Sequence, residues 1–210
     1  MVNYKHVVFD VDGTLIDTAD CILYSMKQML ETVMGVSYEI HELEFALSNP
    51  SVRNLQILKM EEEKIPGAVK MWVDNEEENL DMIRTFDGIP ELLERLKEEG
   101  CTLGIVTSRT HGEFDLVFDK LPIKKYFSFE VCADDTQEHK PSGQPLQKYM
   151  EMAGAIPEEV IYIGDSASDM KCAANAGAAS AFAVWGARNK DAKADFYLET
   201  VQGLEKVLFS

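Results

Sequence analysis

Val8-Phe9-Asp10-Val11-Asp12-Gly13-Thr14 carries an apolar run straight into two carboxylates and an Asp-Gly turn. His6–Val11 reads as a buried strand. Its apolar residues are consecutive rather than alternating, the pattern of a parallel sheet covered on both faces. Alternation of side chains along a strand turns Asp10 and Asp12 to the same side, a few ångströms apart. Carboxylates that close repel each other, and one protonates unless a cation sits between them. A strand followed by Asp-Gly is common. An apolar strand running directly into paired aspartates and then Gly-Thr is much rarer.

Four more runs have the same buried character: Thr102–Thr107, Phe129–Ala133, Val160–Gly164 and Ser180–Val184. Helical spacing separates them. Pro90 to Glu99 places Leu92, Leu93 and Leu96 on one face before Gly100. Phe114, Val117, Phe118 and Leu121 follow the same period, as do Leu146, Tyr149, Met150 and Ala153 before Gly154. Met170, Ala173 and Ala174 precede Gly177, and Val201, Leu204, Val207 and Leu208 make a last helix. Strand–helix alternation of this kind predicts an α/β fold with a doubly wound parallel sheet.

About 90 residues separate the first strand from the second, far more than one crossover helix needs. The interval is itself helical in pattern: Ile22, Leu23, Met26, Met29, Leu30, Val33 and Met34 form a stripe ended by Gly35, with further helix expected over Ile40–Leu47, Ser51–Lys64 and Gly67–Arg84. The acidic runs Glu61–Glu63 and Glu76–Glu78 read as solvated faces. The expected organisation is an α/β core, 1–15 and 87–210, carrying an inserted helical domain, 16–86.

The 210 residues hold 37 acidic against 20 basic side chains, a net charge of −17, and 46% hydrophobic residues. That hydrophobic share supplies a real core. The negative charge works against polyanions, so neither nucleic acid nor an anionic membrane is expected as a partner. Cys21, Cys101, Cys132 and Cys172 lie far apart without a C-x-x-C pair, which suits a reducing cytosol. The start at Met1 shows no secretory pattern, and no apolar run approaches the roughly 20 residues that span a bilayer. The expected location is cytoplasmic.

Chemistry-bearing residues recur at the strand ends. Thr107 and Ser108 follow the second strand, Lys140 precedes Pro141 after the third, and Asp165 and Asp169 follow the fourth. In a parallel sheet all of these fall on the carboxyl edge, where such folds bind ligands. Asp10, Asp12 and Asp165 supply hard oxygen ligands suited to Mg²⁺. Thr107, Lys140 and backbone N–H groups supply donors and positive charge for a phosphoryl group, a set matched to phosphoryl transfer.

Asp10-x-Asp12-Gly13-Thr14, the strand-end Thr107, Lys140-Pro141 and Gly164-Asp165-x-x-x-Asp169 occur in the order of the four motifs of the haloacid dehalogenase superfamily. The chain resembles that family's phosphoglycolate-phosphatase-like branch, as do Cys172-Ala173-Ala174-Asn175-Ala176-Gly177 and Val184-Trp185-Gly186 downstream. The resemblance implies a helical cap for the insertion, and a Mg²⁺-dependent phosphatase acting on a small phosphorylated metabolite through an aspartyl phosphate. It implies Asp10 as nucleophile and Asp12 as general acid and base. Asp10, the Asp12 carbonyl and Asp165 would hold Mg²⁺, with Asp169 a further ligand or a residue behind it. Thr107 and Lys140 would bind phosphoryl oxygens, with Ser108 beside them.

The chain departs from the family where Ser108 and Arg109 replace the frequent Asn and Lys, and where Lys140-Pro141-Ser142-Gly143 replaces Lys-Pro-x-Pro. In the cap, Leu47-Ser48-Asn49-Pro50 stands in place of a Gly-containing turn, and Arg53 and Arg84 are the cationic residues to test. A β-phosphoglucomutase-like mutase and an inorganic pyrophosphatase share these motifs. A receiver-type phosphorylated switch shares some of the residues but not the insertion or the second acidic pair.

Overall fold

The computed structural model describes residues 3–48 and 51–209. Its elements begin with β1 (His6–Phe9), β2 (Ile16–Asp17), α1 (Ala19–Met34), α2 (Ser51–Ile57), α3 (Ile65–Glu78) and β3 (Arg84–Thr85). There follow α4 (Ile89–Glu98), β4 (Thr102–Val106), α5 (His111–Phe118), β5 (Phe129–Val131) and α6 (Gln144–Ala153). The chain closes with β6 (Val160–Gly164), α7 (Ala167–Ala176), β7 (Ala179–Ala183), β8 (Phe196–Leu198) and α8 (Val201–Leu208). It divides into two compact units, Met1–Asp17 with Thr85–Ser210, and Thr18–Arg84.

The first unit is a six-stranded sheet in the order β5-β4-β1-β6-β7-β8, with β1 central and every pair parallel. The doubly wound fold expected from the strand–helix alternation is therefore present. One face is closed by α6 and α7. There Val8, Val106, Val131, Val160 and Tyr162 meet Leu146, Tyr149, Cys172 and Ala173 in one buried cluster. At about 25 cal/mol per Å² of apolar surface removed from water, such packing is the main term holding the strand ends in register. All four cysteines are buried thiols outside any disulfide.

The sequence reading missed β8. It is a three-residue edge strand whose residues run half-buried, exposed and buried, too short for a periodic signal.

In the second unit, the stripe of α1 buries Leu23, Met26, Met29 and Leu30 against Leu43, Leu55, Ile65, Ala68 and Trp72. Two polar side chains of this unit find partners: Trp72 Nε1 donates to the Ile22 carbonyl at 3.1 Å, and Asn79 Nδ2 to Ser25 Oγ at 3.0 Å. The helix expected over Ser51–Lys64 stops at Ile57. Lys59 turns left-handed at φ 57°, and Met60 N–H returns to the Leu55 carbonyl at 3.0 Å. This closure normally uses glycine; here lysine adopts it, so the usual stop signal is missing from the sequence. Helix α3 begins at Ile65, two residues before Gly67, with Pro66 in its first turn. Asn49 and Pro50, part of the segment that stands in place of the Gly-containing turn, lie outside the described residues. Among the described residues, no helix is long and apolar enough to cross a membrane.

Candidate active site

Phe9 pairs with Ile105 and Ile163, which brings the ends of β4, β1 and β6 to one edge. Asp10 N–H continues the ladder to the Ile163 carbonyl at 2.9 Å, and Thr107 N–H to the Val131 carbonyl at 3.0 Å. The first strand ends at Phe9 rather than at Val11 because the chain turns there. The Val11 carbonyl faces the N–H groups of Thr14, Leu15 and Ile16 at 3.3, 2.9 and 3.1 Å. The turn needs Gly13. Its φ is +73°, and a Cβ would stand 2.2 Å from Asp165 Oδ2. Trp185 Nε1 donates to the Thr14 carbonyl at 3.1 Å and braces the same turn from the loop after β7.

Lys140 reaches this edge from the segment before α6. Its Nζ donates to Asp10 Oδ1 at 2.9 Å and to Asp169 Oδ1 at 2.7 Å, with the lysine side chain 5% exposed. Tyr162 lies beneath, donating to the Val106 carbonyl at 2.7 Å and accepting from Lys140 at 3.3 Å. Asp169 sits in the first turn of α7. Its Oδ2 accepts from Ser166 N–H at 3.0 Å and from the Ser166 hydroxyl, while its own N–H donates to Ser166 Oγ at 3.2 Å. This reciprocal cap both starts α7 and orients the carboxylate.

Carboxylate oxygens of Asp10, Asp165 and Asp169 lie within 4.8 Å of one another. Burial pushes the Asp10 carboxyl up to about 7, with Asp169 and Asp12 adding to the rise and Lys140 opposing it. Asp165 is likewise raised, by burial first and then by Asp10 and Asp169. Burial alone would lower Lys140; the charges of Asp10 and Asp169 overcome this and hold it above its ordinary value. One lysine does not neutralise three crowded carboxylates, and the hard oxygen donors fit a divalent cation. Both oxygens of Asp169 are already engaged, so it fits a place behind the metal, aiming Lys140. Asp10 and Asp165 fit the metal-facing places.

Asp12 projects from the turn with its side chain 32% exposed, and Arg109 grips it with Nε to Oδ2 at 2.7 Å and Nη2 to Oδ1 at 2.8 Å. Thr107 is buried, and its Oγ1 accepts from Arg109 N–H at 3.2 Å. The edge thus gathers Asp10, Asp12, Thr107, Lys140, Asp165 and Asp169. Ser108 is exposed and takes no part in this network among the described residues, and Arg53 and Arg84 are exposed in the helical unit.

The sequence reading named Arg109 without a role and missed Tyr162 and Ser166. A signal existed for each of these two. A tyrosine in a fully apolar strand must place its hydroxyl somewhere, and Ser166-x-x-Asp169 has capping-box spacing.

The model of the haloacid dehalogenase-like hydrolases matches residues 7–183. The pyrophosphatase PpaX of Bacillus cereus is 28% identical over 207 residues, covering 96% of this chain and 95% of that protein. A provisionally named phosphoglycolate phosphatase from Lactobacillus plantarum superposes with a TM-score of 0.87 at 26% identity, covering 98% of this chain and 100% of its own. A subfamily IA hydrolase of the same superfamily from Geobacter sulfurreducens gives 0.78 at 25% identity, covering 98% and 96%. Matched across residues 7–183, the chain belongs to the haloacid dehalogenase-like hydrolases.

Proposed function

We propose that this protein is a Mg²⁺-dependent phosphatase that hydrolyses a small phosphate monoester through an aspartyl phosphate on Asp10. The observation that carries the reading is the buried Asp10 carboxylate, 2.9 Å from Lys140 Nζ on one side and clustered with Asp165 and Asp169 on the other. Asp10, Asp165 and the Asp12 main-chain carbonyl would hold the cation. When bound, it would offset the negative charge of the carboxylates and the phosphoryl oxygens and keep Asp10 ionised.

Asp10 attacks phosphorus as the bond to the leaving oxygen breaks, and Asp12 gives that oxygen a proton. Such proton transfer contributes roughly 10²–10⁴-fold. The division of labour follows from exposure: the Asp10 side chain is 10% exposed and the Asp12 side chain 32%. The deeper group suits attack, and the outer one suits a leaving group. Asp12, now ionised, then takes a proton from water as the water displaces Asp10 from phosphorus and releases phosphate. The Thr107 hydroxyl and Lys140 hold the non-bridging oxygens, and Asp169 and Tyr162 aim the lysine. The helical unit Thr18–Arg84, inserted after β1, is the part of the chain available as a substrate-selecting cap.

The relatives' names make phosphoglycolate and pyrophosphate the first substrates to assay. A second reading, hydrolysis of pyrophosphate, has the support of the Bacillus cereus relative's near full-length match. A phosphate-release screen over both compounds and small sugar phosphates, with a bisphosphate-dependent isomerisation assay beside it, tests the function. Rapid acid quench of Asp12→Asn followed by peptide mass spectrometry tests the intermediate. A phosphoryl adduct on Asp10 is expected. Absence of the adduct together with inversion of configuration at phosphorus overturns the covalent route, and activity that survives exhaustive chelation overturns the metal.

A further inference from the structure

We infer that Arg109 is the subsite for a second anionic group on the substrate, and that this group frees Asp12 for its work; the inference rests on the phosphatase reading above. Arg109 presents its fork to both oxygens of Asp12 at 2.7 and 2.8 Å. The Arg109 side chain is only 13% exposed, and its backbone is tied at both ends. Its N–H donates to Thr107 Oγ1 at 3.2 Å, and its carbonyl accepts from Ala133 N–H at 2.8 Å. The main chain of Arg109 is thus fixed beside the phosphoryl-binding threonine, while its guanidinium lies on the proposed acid.

The charge inventory of the edge gives this placement its meaning. Asp10 and Asp169 pair with Lys140, and Asp12 pairs with Arg109. Lys140 lies in the buried layer, where it serves the phosphoryl group that is transferred. Arg109 is the cation on the outer layer, where the part of a substrate beyond its phosphoryl group would project. While both Asp12 oxygens lie in the fork, each is occupied by a guanidinium N–H. A carboxylate or phosphate matches the same fork geometry and competes for it, whereas a neutral hydroxyl cannot replace a charge. The favoured substrates are therefore phosphate esters or anhydrides whose leaving group carries its own carboxylate or phosphate close to the scissile oxygen. Exchange of Asp12 for that anion on Arg109 couples recognition to release of the carboxylate, which takes a proton from solvent and then gives it to the leaving oxygen.

The test compares kcat/KM for phosphoglycolate and pyrophosphate against ethyl phosphate, which lacks the second anion, in the wild type, R109K and R109Q. The wild type should favour the second-anion substrates. R109Q should cut that preference about tenfold to a hundredfold, the scale of lost charge-assisted hydrogen bonds, with KM carrying most of the change and R109K falling between. Thermal melting checks that each variant is folded. In parallel, binding of methylenediphosphonate and methylphosphonate is measured by competition or calorimetry, and R109Q should weaken only the former. An unchanged preference in R109Q, or equal weakening of both phosphonates, overturns the inference. A wild type that releases phosphate from none of the three refutes the phosphatase reading instead, and the phosphonate arm then decides the role of Arg109.

Discussion

Asp169 Oδ1 stands 2.7 Å from Lys140 Nζ, with the aspartate side chain wholly closed to solvent and the lysine 5% exposed. Two charges this deep are held only because each has further partners: Asp10 and Tyr162 for the lysine, Ser166 for the aspartate. Removing one member of a buried pair leaves the other poorly compensated, at about 3–5 kcal/mol. Asp169→Asn should lower unfolding free energy by that order and misaim Lys140. Urea denaturation and phosphate release report the two effects separately. A variant that melts like the wild type would show that the pair does not hold the site together.

Gly13→Ala should damage the site more than the fold. The left-handed φ of +73° strains any side chain, and the new Cβ would meet Asp165 Oδ2 at 2.2 Å. Asp165 must shift, and a displacement near 1 Å in a positioned group costs roughly a hundredfold in rate. Weakened divalent-metal binding by calorimetry should accompany the loss of turnover. Wild-type metal affinity in this variant would rule the explanation out.

The carboxylate cluster also sets a pH dependence in the metal-free protein. Burial first, then Asp169 and Asp12, raises Asp10 from 3.8 to about 7 against the pull of Lys140, and Asp165 moves the same way. A carboxyl whose folded value exceeds its unfolded value binds more protons when folded, so stability falls as pH rises between the two values. Under chelation, the wild type should lose stability relative to Asp10→Asn as pH climbs from about 4 to about 7. Denaturant melts of both proteins across that window measure the difference. Because metal must displace these protons, divalent affinity should also weaken as pH falls below about 7. A difference of the opposite sign would mean that Lys140 outweighs burial.

Trp185→Phe removes the Nε1 donor 3.1 Å from the Thr14 carbonyl while keeping an aromatic ring. The expected cost is about 1 kcal/mol in stability. A looser Asp12-Gly13-Thr14 turn should also raise KM for metal. Equal metal dependence in variant and wild type would reduce Trp185 to packing.

Much of this was legible along the chain. The consecutive apolar residues of β1, β4 and β6 announce strands covered on both faces, and the aspartates after β1 and β6 announce an edge that crowds negative charge. The helix ends at Gly35, Gly154 and Gly177 could likewise be read, because a stop signal is a property of neighbouring residues. These features are local: each depends on torsional preference, turn chemistry or a short period, all carried by adjacent positions.

Other features arise only when distant segments meet. Arg109 finds Asp12 across 97 residues, Lys140 finds Asp10 across 130, and Trp185 reaches Thr14 across 171. Nothing beside Arg109 in the chain says that its fork will close on a carboxylate at the end of another strand. That pairing depends on strand order and register, with β4 next to β1 and Ile105 opposite Phe9. The same holds for Asp169, which the sequence marks as a carboxylate near a metal. Burial beside Lys140, Tyr162 and Ser166 makes it the group that aims a lysine. Residue type and order along the chain supply the chemical inventory, while the packed sheet decides which charges share a low-dielectric space and therefore which of them can act.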